Sequence, residues 1–186
     1  METLVARYEQ DLTRLLVPTD ALLWLTIPGI GVVCAGDLYG ELGSPAWFPS
    51  AKPAVKWAGL DPSFSQSGER AVQSGRMSRE GNRWLRAAAT QAAASVLDLA
   101  HHNAYFLRYA AQLRDRGKAP QPMLVAVANQ CLHVALAMIR THQVFAPPTW
   151  DGPPLAQDWR PKIPRQADRR VAEDTWSRLL QQGGRS

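Results

Sequence analysis

Apolar side chains recur at spacings of three and four from the first residues of the chain. Leu4, Val5, Tyr8, Leu12, Leu15 and Leu16 put one stripe on a helix from Glu2 to Leu16, and Pro18 ends it. Two readings of that stripe stand: a first helix packing on its own domain, or a surface for a partner helix. Asp20 is placed to cap a short helix, Ala21 to Thr26, and "IPGIG" then turns the chain into the helical "VVCAGDLYGELG". Ser50 is placed to cap another short helix, with Pro53 in the first turn where its missing N–H costs nothing, and Gly59 closes it. From Asp61 to Arg76 the apolar periodicity stops, which predicts a loop. Ser78 or Asn82 opens a long helix, "RWLRAAATQAAASVLDLA", with Trp84, Leu85, Val96 and Leu99 as its bulk. Helices over about Asn103 to Arg116 and Gln121 to Thr141 follow, joined by a turn at Gly117 to Pro120. No run alternates as a strand does.

The prediction is therefore all-α: an N-terminal amphipathic helix (1–19), a helical domain (20–145) in which a helix-hairpin-helix element precedes a bundle of longer helices, and a tail (146–186). Pro147, Pro148, Pro153, Pro154, Pro161 and Pro164 mark that tail as an extended linker, with a terminal helix from Ala167 to Gln182.

The composition is that of an ordinary globular protein, 46% hydrophobic and 20% charged. A net charge of +5 favours a polyanionic partner, though weakly. The start, METLVARYEQ, is polar and unlike a signal peptide. The apolar stretch Ala87 to Ala100 is short and broken by Thr90, Gln91 and Asp98, so no membrane partner is expected. Cys34 and Cys131 are read as reduced core residues of a cytoplasmic protein. His101, His102, His133 and His142 lack metal-ligand spacing, and Asp37 and Glu41, one helical turn apart, are read as a solvated pair rather than a metal site. Trp24, Trp47, Trp57 and Trp84 are expected in the core rather than as base-stacking platforms, although Trp84 lies beside arginines.

Two stretches carry candidate chemistry. In "LTIPGIGVVCAGDL", Gly29 and Gly31 permit a tight turn, and their N–H groups, with those opening the helix at Val32, can meet a phosphate oxygen. Ile27 and Ile30 would tuck inward and brace the turn. Such contacts position a protein on DNA without reading sequence. The other reading is a helical corner used only for packing, and the hairpin holds no Lys or Arg of its own. The second stretch, Gly59 to Arg86, is rich in serine and arginine. Serine attacks poorly unless its proton is taken, and phosphoryl transfer needs cations on the equatorial oxygens. Arg70, Arg76, Arg79, Arg83 and Arg86 suit that role, the last three spaced to share a helix face, while Ser67-Gly68 would expose a hydroxyl. On composition alone a solvated polar loop is the better reading, because no carboxylate–histidine pair stands nearby as a base.

The order of the segments adds what composition does not. "TIPGIGVVCAGDLYGELG", "FPSAKPAVKWAGLDPSFSQSG", "GRMSREGNRWLRAAATQAA" and "FLRYAAQLRDRGKAPQPMLVAVANQCLHVALAMI" together resemble the C-terminal transposase domain of the insertion-sequence-110 family, the DEDD transposases or bridge-RNA-guided recombinases. The resemblance covers about Leu23 to Phe145. It implies DNA recombination in a mobile element. It implies a catalytic serine in the "SG" motif after "GL.P", matched here by Ser67-Gly68. It implies DNA as partner, admits a guide (bridge) RNA, and suggests a homo-oligomer or a RuvC-like partner domain. In the family that RuvC-like domain carries an acidic tetrad and divalent metal. Here 1–19 would be the end of the connecting helix and no tetrad is present, so no cofactor is expected in this chain and Mg2+ only with the missing domain. A truncated transposase that does not act alone is thus the leading expectation. A non-catalytic DNA-binding fragment or regulator of transposition is the alternative, and a protein–protein module using the Leu4 to Leu16 stripe is a third. The phosphate contacts of Arg76, Arg79, Arg83 and Arg86 rest on the physical argument, not on the resemblance.

Overall fold

Two helices form the spine of the protein: α4 (Arg83–Val96) and α6 (Pro120–Thr141). The computed structural model describes residues 2–61, 77–101 and 103–146. Along α4 the buried positions are Leu85, Ala88, Ala89, Ala92, Ala93 and Val96, a mostly alanine face that lets α6 approach closely. From α6 come Val127, Ala128, Cys131, Leu132, Ala135, Leu136, Met138 and Ile139. By length and composition α6 could cross a membrane, which the sequence reading, centred on Ala87 to Ala100, did not single out. In this fold it is the core helix on which α3 (Ala51–Trp57), α4 and α5 (Ala104–Asp115) all pack.

The segment Asp20–Thr26 is a 3-10 helix rather than an α-helix, and Ala21 to Thr26 are all buried. An apolar run this short can be buried all round only at the centre of the bundle. Trp24 anchors it there: its ring is 1% exposed and its Nε1 donates to the Ala135 carbonyl at 2.9 Å. Burying a large apolar side chain stabilises by roughly 1.5–3 kcal/mol, and the hydrogen bond removes the cost of burying the indole N–H. Thr19 precedes this helix and its hydroxyl donates to Leu16 O, so Asp20 is the first helical residue and not the cap. Ser50 likewise stands at the N-cap of α3 without a side-chain cap bond. Asn82 does cap α4: its Oδ1 accepts from the N–H groups of Trp84 (2.8 Å) and Leu85 (3.1 Å). The expected long helix stops at Val96, and a short 3-10 turn, Leu99–His101, follows with Leu99 exposed.

The stretch Ile27–Gly31 connects the buried 3-10 helix to α2 (Val32–Leu42). Ile27 and Ile30 are buried, as expected. Asn103, fully buried, donates from Nδ2 to Pro28 O (2.8 Å) and accepts from Phe106 N–H, so it ties this turn to the start of α5. Phe145 closes the same end, stacked parallel on Phe106, with its N–H donating to Thr26 Oγ1 at 2.8 Å. The fold is all-α: no β-strand occurs among the described residues. The helix α1 (Glu2–Leu16) packs on α2 through its C-terminal half, where Thr13 and Leu16 are buried and Leu12 faces Gly36. Its stripe is not consumed by this packing, since Leu4, Val5, Tyr8 and Leu15 are exposed.

Candidate nucleic-acid interface

The end of α3 and the start of α4 are stitched together by the backbone. Asn82 N–H donates to Trp57 O (2.6 Å), and Arg79 N–H donates to Gly59 O (3.3 Å). Ser78 bonds Asp61 twice, N–H to carbonyl at 3.0 Å and hydroxyl to carboxylate Oδ1 at 2.8 Å. Glycine is needed at Gly81, whose φ is +119° and where a Cβ would lie 2.2 Å from Trp57 O. Residues 61 and 78 are therefore held side by side. Ser67, Gly68, Arg70 and Arg76 themselves lie outside the described residues.

Three predicted arginines are described, and they divide. Arg83 is exposed on the first turn of α4, its guanidinium 4.6 Å from the centre of the Trp84 ring. Arg79 is exposed but not on the helix: with φ +55° it belongs to the turn before α4, so the expected shared face of Arg79, Arg83 and Arg86 does not form. Arg86 points back into the junction, where Nη1 donates to Ala58 O (3.0 Å) and Arg79 O (3.2 Å). That guanidinium ties the carbonyl left over at the end of α3 to one in the turn before α4, a packing role that spacing alone did not reveal. Lys56, in the last turn of α3, adds a further exposed cation.

The tryptophans overturn the expectation of a common core position. Only Trp24 of the four is buried; Trp47, Trp57 and Trp84 are 73%, 50% and 59% exposed. They occupy helix ends and turns, where the cores of α3 and α4 are already filled by small residues such as Ala54, Ala58, Ala88 and Ala89. Beside Trp57 lies a cavity of about 480 Å3, walled by Phe48 and Pro53 and edged by Lys56, Asp61 and Ser78.

At the hairpin the two glycines also differ. Gly29 has φ +99°, and a Cβ there would stand 2.8 Å from Ser95 O and 3.0 Å from Val96 Cα. Ser95 Oγ donates to Gly29 O at the same contact. The close approach that requires glycine at 29 is thus to the end of α4. Gly31 is exposed at the N-cap of α2 with open space around it. The 360 Å3 cavity next to this helix start carries Glu9, Asp37 and Gln91 and no Lys or Arg in its described lining, so its charge opposes an anion that the helix N-terminus would otherwise favour.

Both cysteines are free thiols. Burial pushes the Cys34 thiol up to about 12, helped by the nearby Asp37 carboxylate, and burial raises Cys131 further. Neither is a thiolate nucleophile at neutral pH. Glu41 accepts from Asn82 Nδ2 (2.9 Å), so it serves the α4 cap rather than a pair with Asp37. Among the described residues no group of three or more His, Cys, Asp or Glu could hold a metal ion, so the divalent metal implied by the resemblance has no fitting site among them.

Exposed cations interleaved with exposed aromatic rings are the surface chemistry of nucleic-acid-handling domains. Comparison with known proteins shows what the chain is similar to. Residues 21–110 match the Transposase IS116/IS110/IS902 family. The chain is similar to the pilin gene-inverting protein of Moraxella bovis, 29% identical over 125 residues, which is 67% of this chain and 38% of the relative. It is similar to the insertion element IS900 uncharacterized 42 kDa protein of Mycobacterium paratuberculosis, 32% identical over 126 residues, 67% of this chain and 31% of the relative. A similar likeness, 30% over 115 residues (62% of this chain, 27% of the relative), holds for the insertion element IS110 uncharacterized 43.6 kDa protein of Streptomyces coelicolor. The chain spans about a third of the length of the curated relatives it matches.

Proposed function

We propose that residues 20–145 form the part of an insertion-sequence recombinase that grips DNA and presents Ser67 as the nucleophile of strand exchange. The observation that carries this reading is the junction of α3 and α4, where paired hydrogen bonds at Asp61 and Ser78 close the stem of the segment bearing Ser67 and exposed cations flank it. Arg79, Arg83 and Lys56 would contact backbone phosphates, neutralising charge as counterions leave. The helix-hairpin-helix role of Gly29 and Gly31 is the lesser contact, because Glu9 and Asp37 lie beside it.

In the proposed step the Ser67 oxygen bonds to phosphorus, one phosphorus–oxygen bond to deoxyribose breaks, and the departing oxygen takes up a proton as the serine gives up its own. The covalent protein–DNA ester stores the phosphodiester energy for rejoining. Removal of the serine proton and any metal chemistry belong to a RuvC-like partner domain in this scheme, which also makes Mg2+, a homo-oligomer and a bridge RNA features of the full assembly.

The test is DNA trapping with the RuvC-like domain of a relative supplied. The wild-type chain should give a covalent DNA adduct, and Ser67→Ala should give none while keeping its fold and DNA affinity. Adduct formation by Ser67→Ala refutes the nucleophile. Salt-sensitive DNA binding with no adduct from the wild type would instead favour the non-catalytic, regulatory reading.

A further inference from the structure

Trp57 presents half its surface to solvent at the edge of a cavity, and neither core packing nor the phosphate contacts above use it. The cavity volume, about 480 Å3, falls in the range of ligand pockets, roughly 300–1,000 Å3. Its walls are aromatic and apolar: Trp57, Phe48 and Pro53. Its polar groups sit together at one edge, where the Asp61 carboxylate and Ser78 hydroxyl bond each other and Lys56 adds a cation. Glu80 lines the cavity as well, so Lys56 stands against two carboxylates among the described lining residues. An aromatic, apolar slot with polar groups along one edge complements a molecule that is flat, aromatic and polar at its rim. A duplex does not present one, because it keeps its bases stacked inside. A strand with an unpaired base does.

We infer that this cavity receives an unpaired base of the DNA strand being exchanged, stacked on the Trp57 ring, with a flanking phosphate on Lys56. The inference rests on the reading of the domain as DNA-acting. DNA rather than RNA is favoured by position. The cavity is lined by Asp61 and Ser78, the two stem residues of the segment that carries Ser67. Six residues separate Asp61 from Ser67, a reach of at most ~20 Å, so a base near the attacked phosphate can meet the slot. Strand exchange unpairs bases at that phosphate, and a stacking site beside it would hold them apart until rejoining.

The test uses the full chain and three fluorescent DNA probes: an unbroken duplex, the same duplex with a short single-stranded gap, and the gapped duplex with abasic sites in the gap. Anisotropy should show the gapped probe bound about 5- to 150-fold more tightly than the other two, the range that stacking of one base supplies. Trp57→Ala should abolish that preference and leave duplex binding unchanged, and Trp57→Phe should restore much of it. Circular dichroism checks that both variants fold; the Trp57 carbonyl, which Asn82 uses, is present in each. Equal affinity for the gapped and abasic probes, or an undiminished preference in Trp57→Ala, overturns the inference while duplex binding keeps the DNA-acting reading intact. Binding to none of the probes overturns that reading and the inference with it. A tighter fit to a fourth probe, the gapped duplex with ribonucleotides in its single-stranded stretch, overturns the assignment to the exchanged DNA strand.

Discussion

Replacing Gly29 by alanine puts a methyl group where the structure has backbone. The added Cβ would stand 2.8 Å from Ser95 O, 3.0 Å from Val96 Cα and 3.1 Å from Ser95 C, and none of these is the loose end of a side chain. The backbone at 29 must also keep φ +99°, which costs an L-residue about 1–2 kcal/mol. Overpacking against a rigid neighbour adds roughly 1–3 kcal/mol. The stiffer unfolded chain returns about 0.4–1 kcal/mol to the balance. The net destabilisation expected for Gly29→Ala is therefore about 1–5 kcal/mol, a large part of the 5–15 kcal/mol typical of a folded domain. Gly31→Ala is the control: φ is −93° and nothing lies within 4 Å of the new methyl, so the change should stay below about 1 kcal/mol, the scale of an N-cap preference. Urea unfolding followed by far-ultraviolet circular dichroism separates the two. With a slope of about 2 kcal/mol per molar urea, the Gly29→Ala midpoint should fall by about 0.5–2.5 M and that of Gly31→Ala by less than about 0.5 M. Equal midpoints for Gly29→Ala and the wild type would refute the packing of the hairpin on the end of α4. The pair also separates structure from function, since Gly31→Ala can lower DNA affinity only by standing in the way of a phosphate.

Asn82→Ala should destabilise the protein by about 1–2 kcal/mol, because the Trp84 and Leu85 N–H groups lose their cap and Glu41 loses its donor; a loss below 0.5 kcal/mol in urea unfolding, a threshold of about the scatter of surface substitutions, would mean the cap is not made. His133 is held below its ordinary value near 6.5, first by burial and then by the positive charge of Lys52. The folded protein thus refuses a proton that the unfolded chain accepts, so this contribution to stability is complete above about pH 6.5 and is lost as pH falls through the lower folded value. Lys52→Gln should raise the His133 midpoint in an NMR titration, and an unchanged midpoint would show that Lys52 does not act on it.

Much of the helical content was legible in the sequence because its signals are local. A stripe with period 3.6, a glycine past a helix end and an asparagine before a helix each act within a turn or two of their own position. Hence the spans of α5 and α6 and the burial of Ile27 and Ile30 agree with the pattern to within a residue or two. The family resemblance was legible for another reason: the order of short motifs from about Leu23 to Phe145 is itself a sequence property, and the family match falls on 21–110. Capping by Asp20 and Ser50 misled, since a residue type permits a cap bond but the approach of the chain decides whether it forms.

What the tertiary structure alone decided is which side chains meet across the chain. Asp61 and Ser78 are seventeen residues apart and bond directly, and Trp24 reaches Ala135 over a separation of 111. No periodicity encodes such pairs, because they arise when separate helices dock. The same docking divided look-alike residues: Arg86 turned onto backbone carbonyls while Arg83 stayed at the surface, and Trp24 was buried while Trp57 was left facing a cavity. Composition treated each set as one kind. The sequence therefore determined the helices and the family resemblance, and the packing of α3 against the start of α4 determined where a charged or aromatic side chain is free to meet a ligand.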